Sequence, residues 1–266
     1  MGKDKRLTLI RLASIIAFVI MIVVNTLAIT LPINGKTTKE VSDLYPNLFV
    51  PAPITFSIWS IIYIFLLFYV IYQTGIISKK STNIGIKINE IGGLFILSCL
   101  LNAIWIICWQ YLNTLLSVIV MILLLMDLII LYLKTRTDKK ASLKRKAFLA
   151  APFSLYLGWI SVATIANVTA LLVSLKWNGF GLSQQIWTII MICIAVFLAF
   201  ISLKKFRDYL YSLVIFWAIL GIFINHATTL KYAYPSIIST TSIALIVLFV
   251  LMLLFAAKKE RKKIKH

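Results

Sequence analysis

Eight stretches of this chain are almost entirely apolar, and charged residues collect between them. A helix needs about 20 apolar residues to cross the hydrocarbon core of a membrane, at about 1.5 Å per residue. The pattern predicts spanning helices at residues 7–31, 54–74, 91–111, 113–133, 147–173, 184–203, 209–226 and 236–256. The expected fold class is therefore all-α, a polytopic membrane helical bundle.

Composition supports this class, because 61% of the 266 residues are hydrophobic and only 13% are charged. The first apolar stretch is longer than the 7–15 residues typical of a cleavable signal peptide. We therefore expect residues 7–31 to be a retained helix.

The net charge of +19 predicts an orientation rather than a nucleic-acid partner. Of the 27 Lys and Arg residues, 23 fall on one side of the predicted spans and 4 on the other. Basic loops stay in the cytoplasm. The expected location is thus the cell membrane, with both termini cytoplasmic. The basic tail at 258–263 also suits anionic membrane lipids, although a simple flank to the last span is the favoured interpretation.

Aromatic and amide side chains recur at helical spacing on three of the spans, where hydrocarbon would be more favourable. Residues three or four apart share a helix face. The candidate ligand-binding residues are Trp59, Tyr63, Asn102, Trp105, Tyr156, Trp159, Ala163 and Asn167.

Most of these residues fall in the outer half of the membrane at matching depths. Counted from the outer ends of the spans, Trp59, Trp105, Asn167 and Asn25 come out roughly 8–9 Å deep. On the same rise Tyr63, Asn102 and Ala163 come out roughly 14–15 Å deep, and Trp159 about 21 Å. We interpret the set as a shared pocket for a flat, mostly apolar ligand. The alternative, amide side chains that link helices and tryptophans that fill space, is favoured for any one residue alone.

The long outer loop from Pro32 to Pro53 contains a helix-start motif. Thr37 and Glu40 are spaced as a capping box, in which each side chain accepts from the other's backbone amide. A short helix is expected near 38–44, ending before Pro46. The loop is either a lid over the pocket or an ordinary packed connector.

Other polar groups within the spans are weaker candidates. Asp127 could be a proton or cation site, but pairing with a nearby lysine or reaching the interface is favoured. Asn25 and Asn225 are interpreted as links between helices. Cys99, Cys108 and Cys193 lack metal-site or disulfide spacing, so no metal is expected. No nucleophile–base pair or paired carboxylates are evident, and the protein is not expected to be an enzyme.

Several segments resemble the tryptophan-rich sensory protein family (TspO/MBR), also called translocator proteins. The segment from Val50-Pro51 to Trp59 and Tyr63 resembles that family's proline-rich start of the second helix followed by W-x-x-x-Y. Leu101-Asn102-Ala103-Ile104-Trp105 resembles L-N-x-x-W. Tyr156-Leu157-Gly158-Trp159, with Ala163-Thr164 and Asn167, resembles Y-L-x-W-x-x-x-A-T-x-x-N. The resemblance covers residues 7–175.

This resemblance implies a five-helix bundle whose pocket opens under the first loop. It also implies binding of porphyrins, haem-like tetrapyrroles or sterols, with no obligatory cofactor, and homodimers as in many family members. The predicted domains are a TspO/MBR-like domain at 1–175 and a three-helix extension at 176–266.

The sequence departs from the family pattern at several positions. Ala103, Val168 and Leu171 stand where family members often carry aromatic residues, so the resemblance does not imply high-affinity sterol binding. The sequence therefore predicts a sensory or receptor-type membrane protein that binds a planar hydrophobic ligand such as a porphyrin. The alternative is a small-solute secondary transporter or permease.

Overall fold

The computed structural model describes residues 3–31, 33–75, 82–136 and 145–264. Within these ranges it has eight helices long and apolar enough to cross a membrane. The prediction of an all-helical, eight-span bundle is confirmed. The predicted basic loops lie partly outside the described residues, including Lys79, Lys80 and all of 137–144.

The described helices are numbered here in chain order, and α2 is a short helix in the first long loop. They are α1 (Lys3–Thr30), α2 (Thr38–Asp43), α3 (Ile58–Gln73), α4 (Thr82–Gln110), α5 (Thr114–Thr135), α6 (Ala151–Ser174), α7 (Gln184–Ile201), α8 (Tyr209–Ile224) and α9 (Pro235–Ile264). Single π-helical turns precede α6 and follow α7 and α8.

The chain divides into two compact units. The first comprises residues 1–44 and 59–160, and the second comprises 45–58 and 161–266. The division falls inside the first long loop and inside α6. The domains predicted from the sequence, 1–175 and 176–266, follow the family pattern rather than contacts, and they stay a prediction.

The first unit is built around α4, which packs against both α1 and α5. Its core contains three fully buried rings from α3, α4 and α6, namely Tyr69, Phe95 and Phe153. The ring centroid of Tyr69 lies 4.6 Å from that of Phe95 and 5.1 Å from that of Phe153. Both pairs meet edge to face, the arrangement that aromatic quadrupoles favour.

The capping box is present at the start of α2. The Thr37 hydroxyl accepts from the Glu40 amide at 3.3 Å, and a Glu40 carboxylate oxygen accepts from the Thr37 amide at 2.6 Å. The predicted short helix is therefore confirmed. These bonds, the backbone one first, lower the pKa of Glu40 below its ordinary value of 4.5.

The end of α4 holds the first part of the long loop through side-chain hydrogen bonds. The buried Gln110 amide donates to the carbonyls of Ala28 at 3.1 Å and Lys36 at 2.8 Å. The Trp109 indole donates to the Thr38 carbonyl at 3.2 Å. These bonds tie the end of α1, the loop at Lys36 and the start of α2 to the end of α4.

In the second unit, α9 packs against α7 and α8, and the segment 48–55, here called the strap, runs along α8. Four hydrogen bonds fix the strap. The Ala52 amide donates to the Gly221 carbonyl at 2.9 Å. The side chains of Trp217, Asn225 and His226 donate to the carbonyls of Thr55, Val50 and Leu48 at 3.0, 2.9 and 2.9 Å.

The strap fits α8 because of the spacing of its partners. Trp217, Gly221 and Asn225 are four residues apart and so lie along one helix face. Gly221 lets the strap come close, since a Cβ at this position would lie 2.8 Å from the Thr55 methyl carbon. Asn225, expected to link helices, instead binds a loop carbonyl.

Candidate functional site

Trp59, in the first turn of α3, is the centre of an aromatic cluster in the first unit. Its ring centroid lies 5.4 Å from that of Tyr63 and 6.3 Å from that of Trp105, both stacked. The centroids of Tyr156 and Trp159 each lie 6.1 Å away, edge-on. Helices α3, α4 and α6 thus bring five of the eight predicted residues into ring contact.

Asn102, the sixth predicted residue, joins this cluster through its amide group. Its side-chain nitrogen donates to the Tyr156 hydroxyl at 2.8 Å, and its oxygen accepts from the Asn25 amide at 2.6 Å. Asn25 also donates to the Met21 carbonyl at 2.9 Å. This chain of polar groups connects α1, α4 and α6 where all of them are buried.

The interpretation of Asn25 as a link between helices is confirmed by these bonds. It was not among the eight candidate site residues, although its predicted depth in α1 matches that of Trp59 and Trp105. An asparagine at matching depth was therefore a usable signal. Buried polar groups almost always find a hydrogen-bond partner, and Asn102 is the partner here.

Exposure differs within the cluster. Asn102 and Tyr156 are fully buried, and Trp105 and Trp159 are nearly so. Trp59 and Tyr63 are half-buried. The accessible ring surface of the cluster therefore belongs to two residues at the start of α3, one turn apart, and a flat ligand could stack there without unfolding the core.

Ala163 and Asn167 lie further along α6, in the part of that helix that belongs to the second unit. Asn167 is buried and Ala163 is half-buried. The assignment of all eight residues to one binding site stays a prediction.

Asp127 on α5 is buried, with 4% of its surface exposed. Neither carboxylate oxygen has a hydrogen-bond partner among the described residues. The expected pairing with a nearby lysine is wrong for Lys134, which instead contacts Glu90 at 3.0 Å. Burying a charged carboxylate inside a membrane span without a partner costs free energy unless the group holds a proton. Carboxylates retained at such positions often have a function.

The described residues also form two cavities in the second unit. One, of about 490 Å³, lies between α6, α7 and the loop that joins them, with Asn47 and Leu48 at its edge. The other, of about 420 Å³, is an apolar groove between α7 and α9. Neither is lined by any of the eight predicted residues.

Metal-ligating residues do not cluster in the described ranges, where no group of three His, Cys, Asp or Glu could hold an ion. Cys99 and Cys108 are buried and Cys193 is exposed, all as free thiols. The aromatic cluster contains no charged residue, so its available chemistry is stacking, apolar burial and hydrogen bonding.

Comparison with known proteins gives one family. The model of a family described as TSPO-like protein matches residues 11–255. The match extends through the last three spans, which the sequence analysis set apart from the five-helix pattern. No curated protein and no solved structure matches the chain.

Proposed function

We propose that this chain, which belongs to the TSPO-like protein family, is a membrane sensory protein that binds a planar hydrophobic ligand at the aromatic cluster around Trp59. The family and the eight apolar helices make it a multi-pass membrane protein. The ligand class is the proposed part, with a porphyrin or related tetrapyrrole as the leading candidate.

The observation that carries this proposal is the convergence of rings from three helices on Trp59. Each favourable aromatic contact contributes about 0.5–1.5 kcal/mol beyond area burial. Apolar burial adds about 25 cal/mol per Å². A flat ring system stacked on Trp59 and Tyr63 would gain free energy both from aromatic contacts and from apolar burial.

Asn102 can also orient a bound ligand. An amide has two donor hydrogens and two acceptor lone pairs, and Asn102 uses one of each for Tyr156 and Asn25. One donor and one acceptor position remain. A ligand that displaces the side chains covering the buried Asn102 could therefore have its polar edge recognised without a charged partner.

The test is titration of the purified protein with protoporphyrin IX, followed by the shift of the pigment's main absorption band. We expect Trp59→Leu and Asn102→Ala to raise Kd about tenfold or more, equivalent to about 1.4 kcal/mol. Trp177→Phe, in the second unit, is the matched control and should bind normally. Equal affinity in all four proteins would refute the proposed site.

Several further expectations belong to this proposal. The protein acts by binding and not as an enzyme, resides in the cell membrane with both termini cytoplasmic, and forms a homodimer as the family resemblance implies. Introduced cysteines near residues 3 and 264 that react with a membrane-impermeant reagent only after lysis would support the orientation. Labelling in intact cells would contradict it.

A second candidate function is secondary transport of a small solute, and it is favoured by the burial of Asp127, whose carboxylate has no hydrogen-bond partner among the described residues. Carboxylates inside membrane proteins often mark ion or proton pathways. Uptake of solute into proteoliposomes that is lost in Asp127→Asn would support transport. Porphyrin binding without any solute uptake would leave the sensory proposal as the better one.

A further inference from the structure

The 490 Å³ cavity of the second unit lies on a different face of α6 from the predicted site residues. Successive residues of an α-helix are turned by about 100°. At that angle the six lining residues of α6 centre on one side, and Ala163 and Asn167 point roughly 150–170° away from the middle of that face. The six are Thr164, Ile165, Val168, Thr169, Leu172 and Val173. This cavity is therefore distinct from the pocket that the family motifs imply.

The walls of this cavity are neutral. None of the 16 residues that line it carries a charge. Two of them are tryptophans, Trp177 and Trp187, whose ring centroids lie 5.1 Å apart with the ring planes tilted by 55°. A charged ligand would lose its hydration on entering and find no opposite charge in the walls. These walls therefore favour an uncharged molecule, and the two tryptophans favour one with at least one ring.

Most polar groups in the wall are already satisfied within the protein. The Thr169 and Thr188 hydroxyls donate to the carbonyls of Ile165 and Gln184. The Trp187 indole donates to the Gly179 carbonyl at 2.9 Å. These groups hold the cavity in shape and add little to ligand recognition.

Two donors in the wall remain available. The Trp177 indole and the Gln184 side-chain amide have no hydrogen-bond partner among the described residues, and both line the cavity. They lie at the loop end of the two helices, whereas the aliphatic lining residues lie deeper. A ligand would accordingly place a hydrogen-bond acceptor towards the loop and its apolar part between the helices.

The cavity volume indicates how large a ligand it can enclose. At the packing density of protein interiors, about 0.75, a cavity of 490 Å³ holds a molecule of about 370 Å³. Sites of about 300–1,000 Å³ with apolar walls and a few placed polar groups are typical of small-molecule binding. The cavity suits a compound of a few rings.

We propose that the cavity between α6 and α7 is a second ligand site, which binds a neutral ring-containing amphiphile with a carbonyl-type acceptor facing Trp177 and Gln184. This inference does not depend on porphyrin binding at the cluster around Trp59. It also gives the C-terminal helices a role, because α7 forms one wall and the strap held by α8 brings Leu48 to the edge.

The probe for the test is benzophenone, a neutral two-ring ketone that forms a covalent bond to nearby C–H groups on illumination and reacts readily with methionine. Met191 lines the cavity. We expect saturable labelling of Met191 in the full-length protein in lipid nanodiscs, mapped by peptide mass spectrometry. Labelling spread over lipid-facing residues such as Met126, with none at Met191, would overturn the proposal.

Variants separate the cavity from general partitioning into lipid. Val168→Phe fills the cavity and should reduce labelling of Met191 about tenfold, whereas Val250→Phe, on the exposed side of α9, should not change it. Should Val168→Phe fail to fold, the exposed Gln184→Leu decides, with an expected reduction of about threefold from one lost hydrogen bond. Undiminished labelling in the folded variants contradicts the proposal.

Two further comparisons identify the ligand chemistry and keep this site apart from the first. The anionic 4-benzoylbenzoate should label Met191 less than benzophenone, because the walls offer no cation; equal labelling would contradict the neutral ligand. Trp59→Leu should leave benzophenone labelling intact, and Gln184→Leu should leave porphyrin titration intact. Failure of one site is thereby distinguishable from failure of the other.

Discussion

The indole nitrogen of Trp217 donates a hydrogen bond to the backbone carbonyl of Thr55 at 3.0 Å, across 162 positions of the chain. One turn further along α8, Gly221 contacts the Thr55 side chain and accepts from the Ala52 amide. The second half of the first long loop is therefore shaped by the seventh span. This relationship leads to the first prediction.

Gly221→Ala should destabilise the protein by about 1–3 kcal/mol, because the added methyl group would overlap the Thr55 side chain and push the strap away. The measurement is thermal unfolding in detergent. Gly93→Ala on α4 is the control, since a Cβ there meets nothing within 4 Å. Equal stability of the two variants would mean that the strap does not pack on α8 as described.

His226→Ala should loosen the strap without large changes elsewhere. The ring nitrogen Nε2 of this buried histidine donates to the Leu48 carbonyl at 2.9 Å, and without it that carbonyl lacks its side-chain partner. We expect faster amide hydrogen exchange at residues 48–52, while exchange in α4 stays unchanged. Unaltered protection of the strap would show that the other three bonds suffice.

Asn102→Ala should cost about 1–2 kcal/mol, because it leaves the Asn25 amide and the Tyr156 hydroxyl without their shared partner. Thr241→Val is the control, since this equally buried hydroxyl bonds only to carbonyls of its own helix. A double-mutant cycle of Asn102→Ala with Asn25→Ala should show coupling of about 0.5–1 kcal/mol. Strict additivity would contradict the described polar chain.

The short helix α2 should lose protection at low pH. The pKa of Glu40 is lowered by its bonds to Thr37. The carboxylate therefore stabilises the folded loop fully at pH values above the ordinary pKa of 4.5. This stabilisation disappears as the pH falls through the lowered folded-state pKa. Amide protection of Val41, corrected for intrinsic rates, should fall in that range in the wild type and stay flat in Glu40→Gln.

Asp127→Leu should raise the stability of the protein at pH 8 by about 1–3 kcal/mol, since the native carboxylate is buried without a hydrogen-bond partner in the described part of the chain. Asp43→Leu serves as the control, because Asp43 is exposed on α2 and its effect should stay within about 0.5 kcal/mol. A loss of stability in Asp127→Leu would indicate a compensating partner for this carboxylate.

The sequence by itself determined the features that depend on local physics. Eight apolar runs of spanning length dictated eight helices, because an isolated backbone in hydrocarbon must satisfy its hydrogen bonds within the segment. The capping box at Thr37 and Glu40 could also be predicted, since both partners lie within one helical turn. Depth counted along the spans placed Trp59 and Trp105, whose rings stack, at the same level.

Tertiary structure alone decided which partners these residues meet. Every residue has a backbone carbonyl, so the sequence does not indicate that side chains of α8 and of the π-helical turn after it bind those of Leu48, Val50 and Thr55. Helical periodicity shows which face of a helix is special but not which neighbour covers it. For the same reason the cavity beside Trp177 could not be anticipated, because a void is formed by what the surrounding side chains fail to fill.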